Sequence, residues 1–283
     1  MISKMAATVL GCDRLIRNLP RRLRLGSVAL LCNQASVTGT LRPLPEELVK
    51  NGIRLRFILS PQHGFFSEKQ ANMIESGHEF HPALGIPIYS LYGPMFSPPP
   101  ELFEDIDYLL VDLQDVGTRV YTYMTTMGLV LEALSGRDVR VIILDRPNPI
   151  GTDVVEGNVV EPGYRSFVGR YLLPMRHGLT PGEYALWVAM EKGLDVDIQV
   201  ITMENWSPDL HHPETGLRWI FPSPNMPSYE TALVYPGMVL LEGIVTPNWT
   251  GPVIRGKSGP GKGERDGRES RQAGSYPKMD SQS

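Results

Sequence analysis

The sequence predicts an α/β protein, a Rossmann-like parallel-sheet domain with a smaller auxiliary α/β subdomain. Three observations carry this. Five short runs, Ser27–Cys32, Leu55–Leu59, Pro87–Leu91, Tyr108–Leu113 and Val139–Leu144, are almost continuously apolar instead of alternating, as strands buried on both faces of a parallel sheet are. Helical patterns fall between some of them, and strand–helix–strand alternation favours a doubly wound layer over about residues 25–150. From Gly151 to about Gly243 turns and prolines become frequent, which marks the auxiliary subdomain.

The chain has 283 residues, 42% apolar and 20% charged, with a formal net charge of −4. That is enough for one large domain or two small ones. No broad basic field is present, so nucleic acid is not an expected partner. No run approaches membrane-spanning length, so no membrane is expected either. The start, MISKMAATVLGCDRLIRNLPRRLRLG, has only a short apolar stretch before Cys12 and reads poorly as a secretory signal, which predicts a cytoplasmic protein. Cys12 and Cys32 form no disulfide framework or metal motif, and Cys32 is expected in the core.

Element by element, PEELVKNG (45–52) is a short helix stopped by Gly52. Thr118–Gly136 is the clearest helix, with Val120, Met124, Met127, Leu131 and Leu134 at helical spacing. Thr180–Lys192 is another, opened by Thr180, Pro181 and Glu183 as N-cap, N1 and N3 of a capping box. FPSPNMPSYETALVYPG (221–237) reads as a rigid proline loop. From about Ile244 the chain is rich in Gly, Ser, Pro and charge and is expected to be disordered. The expected divisions are therefore 1–150, an incomplete subdomain over 151–243, and a polar tail over 244–283.

Ligands of open parallel sheets bind at the carboxyl ends of the strands, so polar residues just after strands are the first suspects. Gln62 and His63 follow the second run in SPQHGFFSEKQANMIES (60–76), which also holds Glu68 and Glu75. The apolar neighbours of Glu75 suit it to acid catalysis. In VDLQDVGTRVYTYMTTM (111–127), Asp112 lies inside an apolar strand and needs Arg119, Arg146 or a ligand as partner. Gln114 and Asp115 follow at the strand-to-helix turn, where Asp115 or Thr118 could equally cap the helix. Tyr121 and Tyr123 could stack on a ring or belong to the core. In LDRPNP, Asn148 sits in a stiff loop, and Arg146 could clamp a carboxylate or phosphate or pair with Asp145. Arg176 and His177 precede a helix start, where anions are favoured, and Asn225 could hydrogen-bond a ligand. No nucleophile elbow, Walker loop, GxGxxG, HExxH or CxxC pair occurs, so no metal or cofactor is expected.

The ordered motifs PQHG, SLYG, DLQDVGTRVYTYMTTM, LDRPNPIG, EGNVVE, SFVG, P-x-RHGLTPGEYA, PSPNMP and YPG, from about Gly11 to Gly243, resemble the DUF1343 family, whose characterised members are exo-β-N-acetylmuramidases of the NamZ type. The resemblance implies a Rossmann-like domain plus an auxiliary domain with the site between them. It also implies release of terminal N-acetylmuramic acid from peptidoglycan fragments, and hence a peptidoglycan-derived amino sugar as partner. The family motif reads PEHG, and its glutamate is the leading candidate acid; here position 62 is Gln, so the acid is expected at Glu75 or Glu68. Family members also continue past YPG with an S-E-G-R-G-T stretch, so this chain reads as truncated or frameshifted.

On that basis Glu75 is the expected acid, and Asp112 and Asp115 the expected partners of the developing oxocarbenium charge. Arg146 or Arg176 would hold the lactyl carboxylate, and Tyr121 or Tyr123 would meet the sugar. Gln62, His63, Gln114, Arg119, Asn148, His177 and Asn225 complete the expected binding set. Two rivals stand beside this. One is a non-catalytic amino-sugar-binding protein. The other is a metal-dependent phosphoesterase using Asp112, Asp145 and His177.

Overall fold

A computed structural model describes residues 6–62, 65, 79–92 and 96–243. Seven strands form one sheet: β1 (Ser27–Cys32), β2 (Arg54–Ser60), β3 (Glu79–Phe80), β4 (Pro87–Ser90), β5 (Tyr108–Asp112), β6 (Arg140–Leu144) and β7 (Ile198–Ile201). Their order is β3-β4-β2-β1-β5-β6-β7. All neighbours are parallel except the two-residue β3, which lies antiparallel on β4. Without β3 this is the doubly wound order, in which the chain winds outward from β1 in one direction and then, from β5, in the other.

Among the described residues the six α-helices are α1 (Gly11–Arg17), α2 (Arg21–Leu25), α3 (Leu44–Lys50), α4 (Thr122–Leu134), α5 (Pro181–Lys192) and α6 (Tyr229–Met238). The apolar strands feed a core on each face, because successive side chains point to opposite sides. Val28, Leu30 and Cys32 of β1 join Leu15 of α1, Leu23 of α2 and Leu48 of α3 on one face. Ala29 and Leu31 join Met127 and Leu131 of α4 and Val188 of α5 on the other. Burying one such leucine stabilises the fold by about 1.5–3 kcal/mol, which is why these strands show no polar alternation. Cys12 and Cys32 are both buried free thiols.

The five apolar runs are β1, β2, β4, β5 and β6, within a residue or so of their expected ends. The capping box of α5 is formed as expected: the Thr180 hydroxyl accepts from the Glu183 N–H, and the Glu183 carboxylate accepts from the Thr180 N–H. Two features differ from expectation. β7 and α5 lie past residue 150 yet belong to the same sheet and core, because Ile198, Val200 and Ile201 complete an otherwise open edge beside β6. The second half of the expected proline loop, from Tyr229 on, is helical and runs to Met238, since Ser228 accepts from the Thr231 N–H as an N-cap and Pro236 is accommodated near the helix end. The expected tail, 244–283, lies outside the described residues. Among the described residues no helix is long and apolar enough to cross a membrane.

Candidate functional site at the sheet switch point

β1 and β5 are adjacent and parallel, with Cys32 opposite Asp112, and the winding reverses between them. The residues after their carboxyl ends therefore border the crevice in which such sheets hold ligands. Asn33, Gln34, Gln114, Asp115, Asp145 and Arg146 all gather on this edge, as the sequence predicts.

Asp112 and Arg146 pair with each other. Arg146 Nε donates to Asp112 Oδ1 at 2.6 Å and Nη2 donates to the Val37 carbonyl at 2.6 Å. Asp112 is fully buried. Burial pushes its carboxyl above the usual range, and the Arg146 guanidinium opposes that push. This pair is a buried brace between β5 and β6, so Asp112 is not open to a sugar and Arg146 already has its carboxylate.

Asp115 and His177 make a second buried pair. The Leu179 N–H donates to His177 Nδ1 at 3.1 Å, so the ring proton sits on Nε2. Nε2 then donates to Asp115 Oδ2 at 2.9 Å, which also accepts the Gly117 N–H at 2.8 Å. Asp115 Oδ1 is enclosed without a hydrogen-bond partner. Gly117 takes φ +79°, and a Cβ there would lie 2.4 Å from Asn148 Oδ1, so this turn admits only glycine. Asn148 is itself buried: it donates to the Leu179 carbonyl and accepts from the Ile150 N–H. Gln114 donates to the Asp115 and Pro147 carbonyls. These residues hold the loops after β5 and β6 against the one before α5.

Asp145 accepts from the Gly182 N–H at 2.9 Å, the Thr180 hydroxyl at 3.1 Å and the Arg146 N–H at 3.1 Å. Burial raises its carboxyl to about 6 against these donors. Asp112, Asp145 and His177 thus have separate partners, and among the described residues no group of three His, Cys, Asp or Glu could hold a metal ion. The geometry gives the expected phosphoesterase ligands no common centre.

The tyrosines are interior. Tyr121 and Tyr123 are buried with ring centroids 4.6 Å apart. The Tyr123 hydroxyl donates to the Pro222 carbonyl at 2.7 Å, and burial pushes it up to about 12. The same carbonyl accepts Asn33 Nδ2 and Gln34 Nε2, each at 2.9 Å. Three donors, two from the loop after β1 and one from the start of α4, therefore tie down the 221–226 loop, which brings the half-buried Asn225 to the sheet edge. This clamp was missed because its acceptor is a backbone carbonyl, which no side-chain pattern marks. Gln62 is buried, and its Oε1 accepts from the Thr122 hydroxyl at 2.8 Å at the start of α4. His63, Glu68 and Glu75 lie outside the described residues.

The remaining arginines differ sharply. Arg176 pairs with Glu156 at 3.0 Å and also donates to the Ile150 carbonyl. Arg119 is 9% exposed, and its Nη1 donates to two backbone carbonyls, Asn158 at 2.7 Å and Leu173 at 2.6 Å. Burial pulls this guanidinium below its ordinary value. It lines an open cleft of about 380 Å³, together with Asn158, Glu161, Tyr164, Ser166 and Val168.

The family model for exo-β-N-acetylmuramidase NamZ, N-terminal, matches residues 28–230, a span that contains every site residue above and, but for the first residue of β1, every described strand. The chain belongs to this family. It is 39% identical over 234 residues to the peptidoglycan β-N-acetylmuramidase NamZ of Bacillus subtilis (strain 168), covering 82% of this chain and 56% of that protein. Two crystal structures of DUF1343 family proteins from Bacteroides fragilis NCTC 9343 share the fold. One has a TM-score of 0.77 at 35% identity, covering 83% of this chain and 60% of that one; the other has 0.71 at 31%, covering 84% and 62%. The chain thus spans a little over half the length of these NamZ-family relatives.

Proposed function

We propose that the protein is a glycoside hydrolase of the exo-β-N-acetylmuramidase type, releasing terminal N-acetylmuramic acid from peptidoglycan fragments. The observation that carries this is the 39% identity over 234 residues, 82% of this chain, to a peptidoglycan β-N-acetylmuramidase. The rest of the edge supports it: a crevice bordered by amide side chains suits hydroxyl-rich ligands.

Cleavage of a glycosidic bond needs a proton for the leaving oxygen and a carboxylate, or the substrate's own acetamido group, to meet the charge at the anomeric carbon. Gln62 is an amide and cannot supply the proton. Asp112 is neutralised by Arg146, and Asp115 is held by His177 and the Gly117 N–H. The acid is therefore assigned to the segment after β2, at Glu75 or Glu68. Asp115 and His177 act as positioning residues for the loops around the crevice. One observation favours a second reading, an amino-sugar-binding protein without turnover: every candidate carboxylate among the described residues already has a protein partner.

Hydrolysis of a chromogenic β-N-acetylmuramide, with the β-N-acetylglucosaminide as control and Gln62→Glu in parallel, tests the assignment. Selective release by the wild type is the expected result. Silence in the wild type with activity in Gln62→Glu would place the acid at position 62 and make the natural chain a binder. Loss of turnover in Glu75→Gln is expected if Glu75 is the acid, whereas full activity there removes it from the mechanism.

A further inference from the structure

We infer that the Arg119 cleft is a carboxylate subsite, and that it takes the lactyl carboxylate distinguishing N-acetylmuramic acid from N-acetylglucosamine. This rests on the amino-sugar reading above and assigns to one residue the discrimination that the sequence pointed toward Arg146 or Arg176.

Arg146 is held by Asp112 and Arg176 by Glu156. Arg119 forms no ion pair among the described residues, although it is nine-tenths buried. Its Nη1 is satisfied by two carbonyls, and its Nε is enclosed without a partner. A buried cation with neutral acceptors on one nitrogen only is poorly compensated. An anion reaching Nη2 would supply the missing charge through a charge-assisted hydrogen bond.

The surroundings fit a sugar acid. The cleft volume, about 380 Å³, lies within the range of small-molecule sites. Its rim offers the Ser166 hydroxyl and the Asn158 amide for hydroxyl groups, and the ring of Tyr164, 78% exposed, for the apolar face of a pyranose. Phe167, between two lining residues, packs on Phe96 with centroids 4.9 Å apart and stiffens this wall. The cleft also lies close along the chain to the partner of Gln62. Arg119 and Val120 line it, and two residues on, Thr122 binds Gln62. One charge opposes the anion: Glu161, exposed at the rim.

The test is calorimetric binding of N-acetylmuramic acid, of its carboxyl methyl ester and of N-acetylglucosamine, at low salt. The wild type should prefer the acid over the ester by about ten- to hundredfold, the worth of one hydrogen bond to a charged group. Arg119→Gln should bring that ratio below about twofold while leaving ester affinity unchanged. Because Arg119→Gln also removes two contacts to the 158 and 173 carbonyls and could unfold the loop, Glu161→Lys gives an independent reading. It lies on the exposed rim, and it should tighten the acid at least about threefold without affecting the ester, an effect that fades as salt is raised. Equal wild-type affinity for acid and ester overturns the subsite while leaving the amino-sugar reading intact. So does a folded Arg119→Gln protein that still discriminates, or a Glu161→Lys protein unchanged toward the acid. Absence of binding to all three sugars, with no turnover, overturns both.

Discussion

The side chains at the switch point are mostly braces, and two of them make separate predictions. The Asp112–Arg146 pair is fully enclosed, so removing one partner strands a buried charge. Arg146→Met should cost about 3–5 kcal/mol, and Asp112→Leu with Arg146→Met together should cost clearly less, because an apolar pair leaves no charge to solvate. Urea unfolding of the three proteins checks this, and a double variant as unstable as the single one would contradict it. Asp145 is the second case. Its carboxyl titrates at about 6 in the fold, against 3.8 for the free group, so the folded state holds a proton that the unfolded state releases. Stability should therefore fall as pH rises from about 4 to about 6 and then level off. The size is about 3 kcal/mol, from 1.36 kcal/mol for each pH unit of difference. Asp145→Asn should flatten this part of the curve, and parallel curves for variant and wild type would mean that Asp145 does not titrate in this window.

Between elements, the contact of α4 with the 167–173 segment depends on a missing side chain. A Cβ on Gly128 would lie 2.1 Å from the Tyr171 hydroxyl. That hydroxyl donates to Glu132 at 2.9 Å, Arg170 grips the same carboxylate, and Lys192 lies 5.6 Å over the tyrosine ring. Gly128→Ala should displace Tyr171 and cost about 1–3 kcal/mol by overpacking. In a Tyr171→Leu background the same change should stabilise slightly, since alanine is the better helix residue; thermal denaturation of both pairs measures this. The sequence could not show that need, because Gly128 reads only as a weak spot in a helix. At this scale, continuous apolar runs were legible as strands because burial on both faces removes alternation, and α5 was legible because Thr180 and Glu183 cap it locally. β7, with the shorter run Ile198–Ile201 and Gln199 exposed, carried too little pattern. α1 and α2 are one or two turns long, and α6 was hidden by Pro236. In the site, strand-end position pointed to Asp112, Asp115, Gln62 and Arg146. The partners each one takes were not legible, since a carboxylate bound by an arginine and one bound by a sugar look the same in sequence.

For the whole molecule, the two cores share one sheet: β1, β2, β5 and β6 present alternate residues to each. The face that holds α4 also holds Tyr184, Ala185 and Val188 of α5 and Ala232 of α6, so residues well past 150 are packed into the same core as Leu31 and Val111. A sheet whose strands serve both faces should lose both together, because opening either face exposes the strands that the other needs. The two faces can be weakened separately: Leu30→Ala on the α1 and α3 side, at about 2–5 kcal/mol, and Val188→Ala on the α4 and α5 side, at about 2 kcal/mol. Far-ultraviolet circular dichroism reports the helices, and tryptophan fluorescence reports Trp187, Trp206, Trp219 and Trp249, all four past residue 150. In both variants the two probes should move to lower urea together, with one midpoint. Two midpoints in Val188→Ala, with fluorescence leaving first, would mean that residues beyond 150 fold as a unit of their own and that the boundary visible in the sequence texture is also a thermodynamic one.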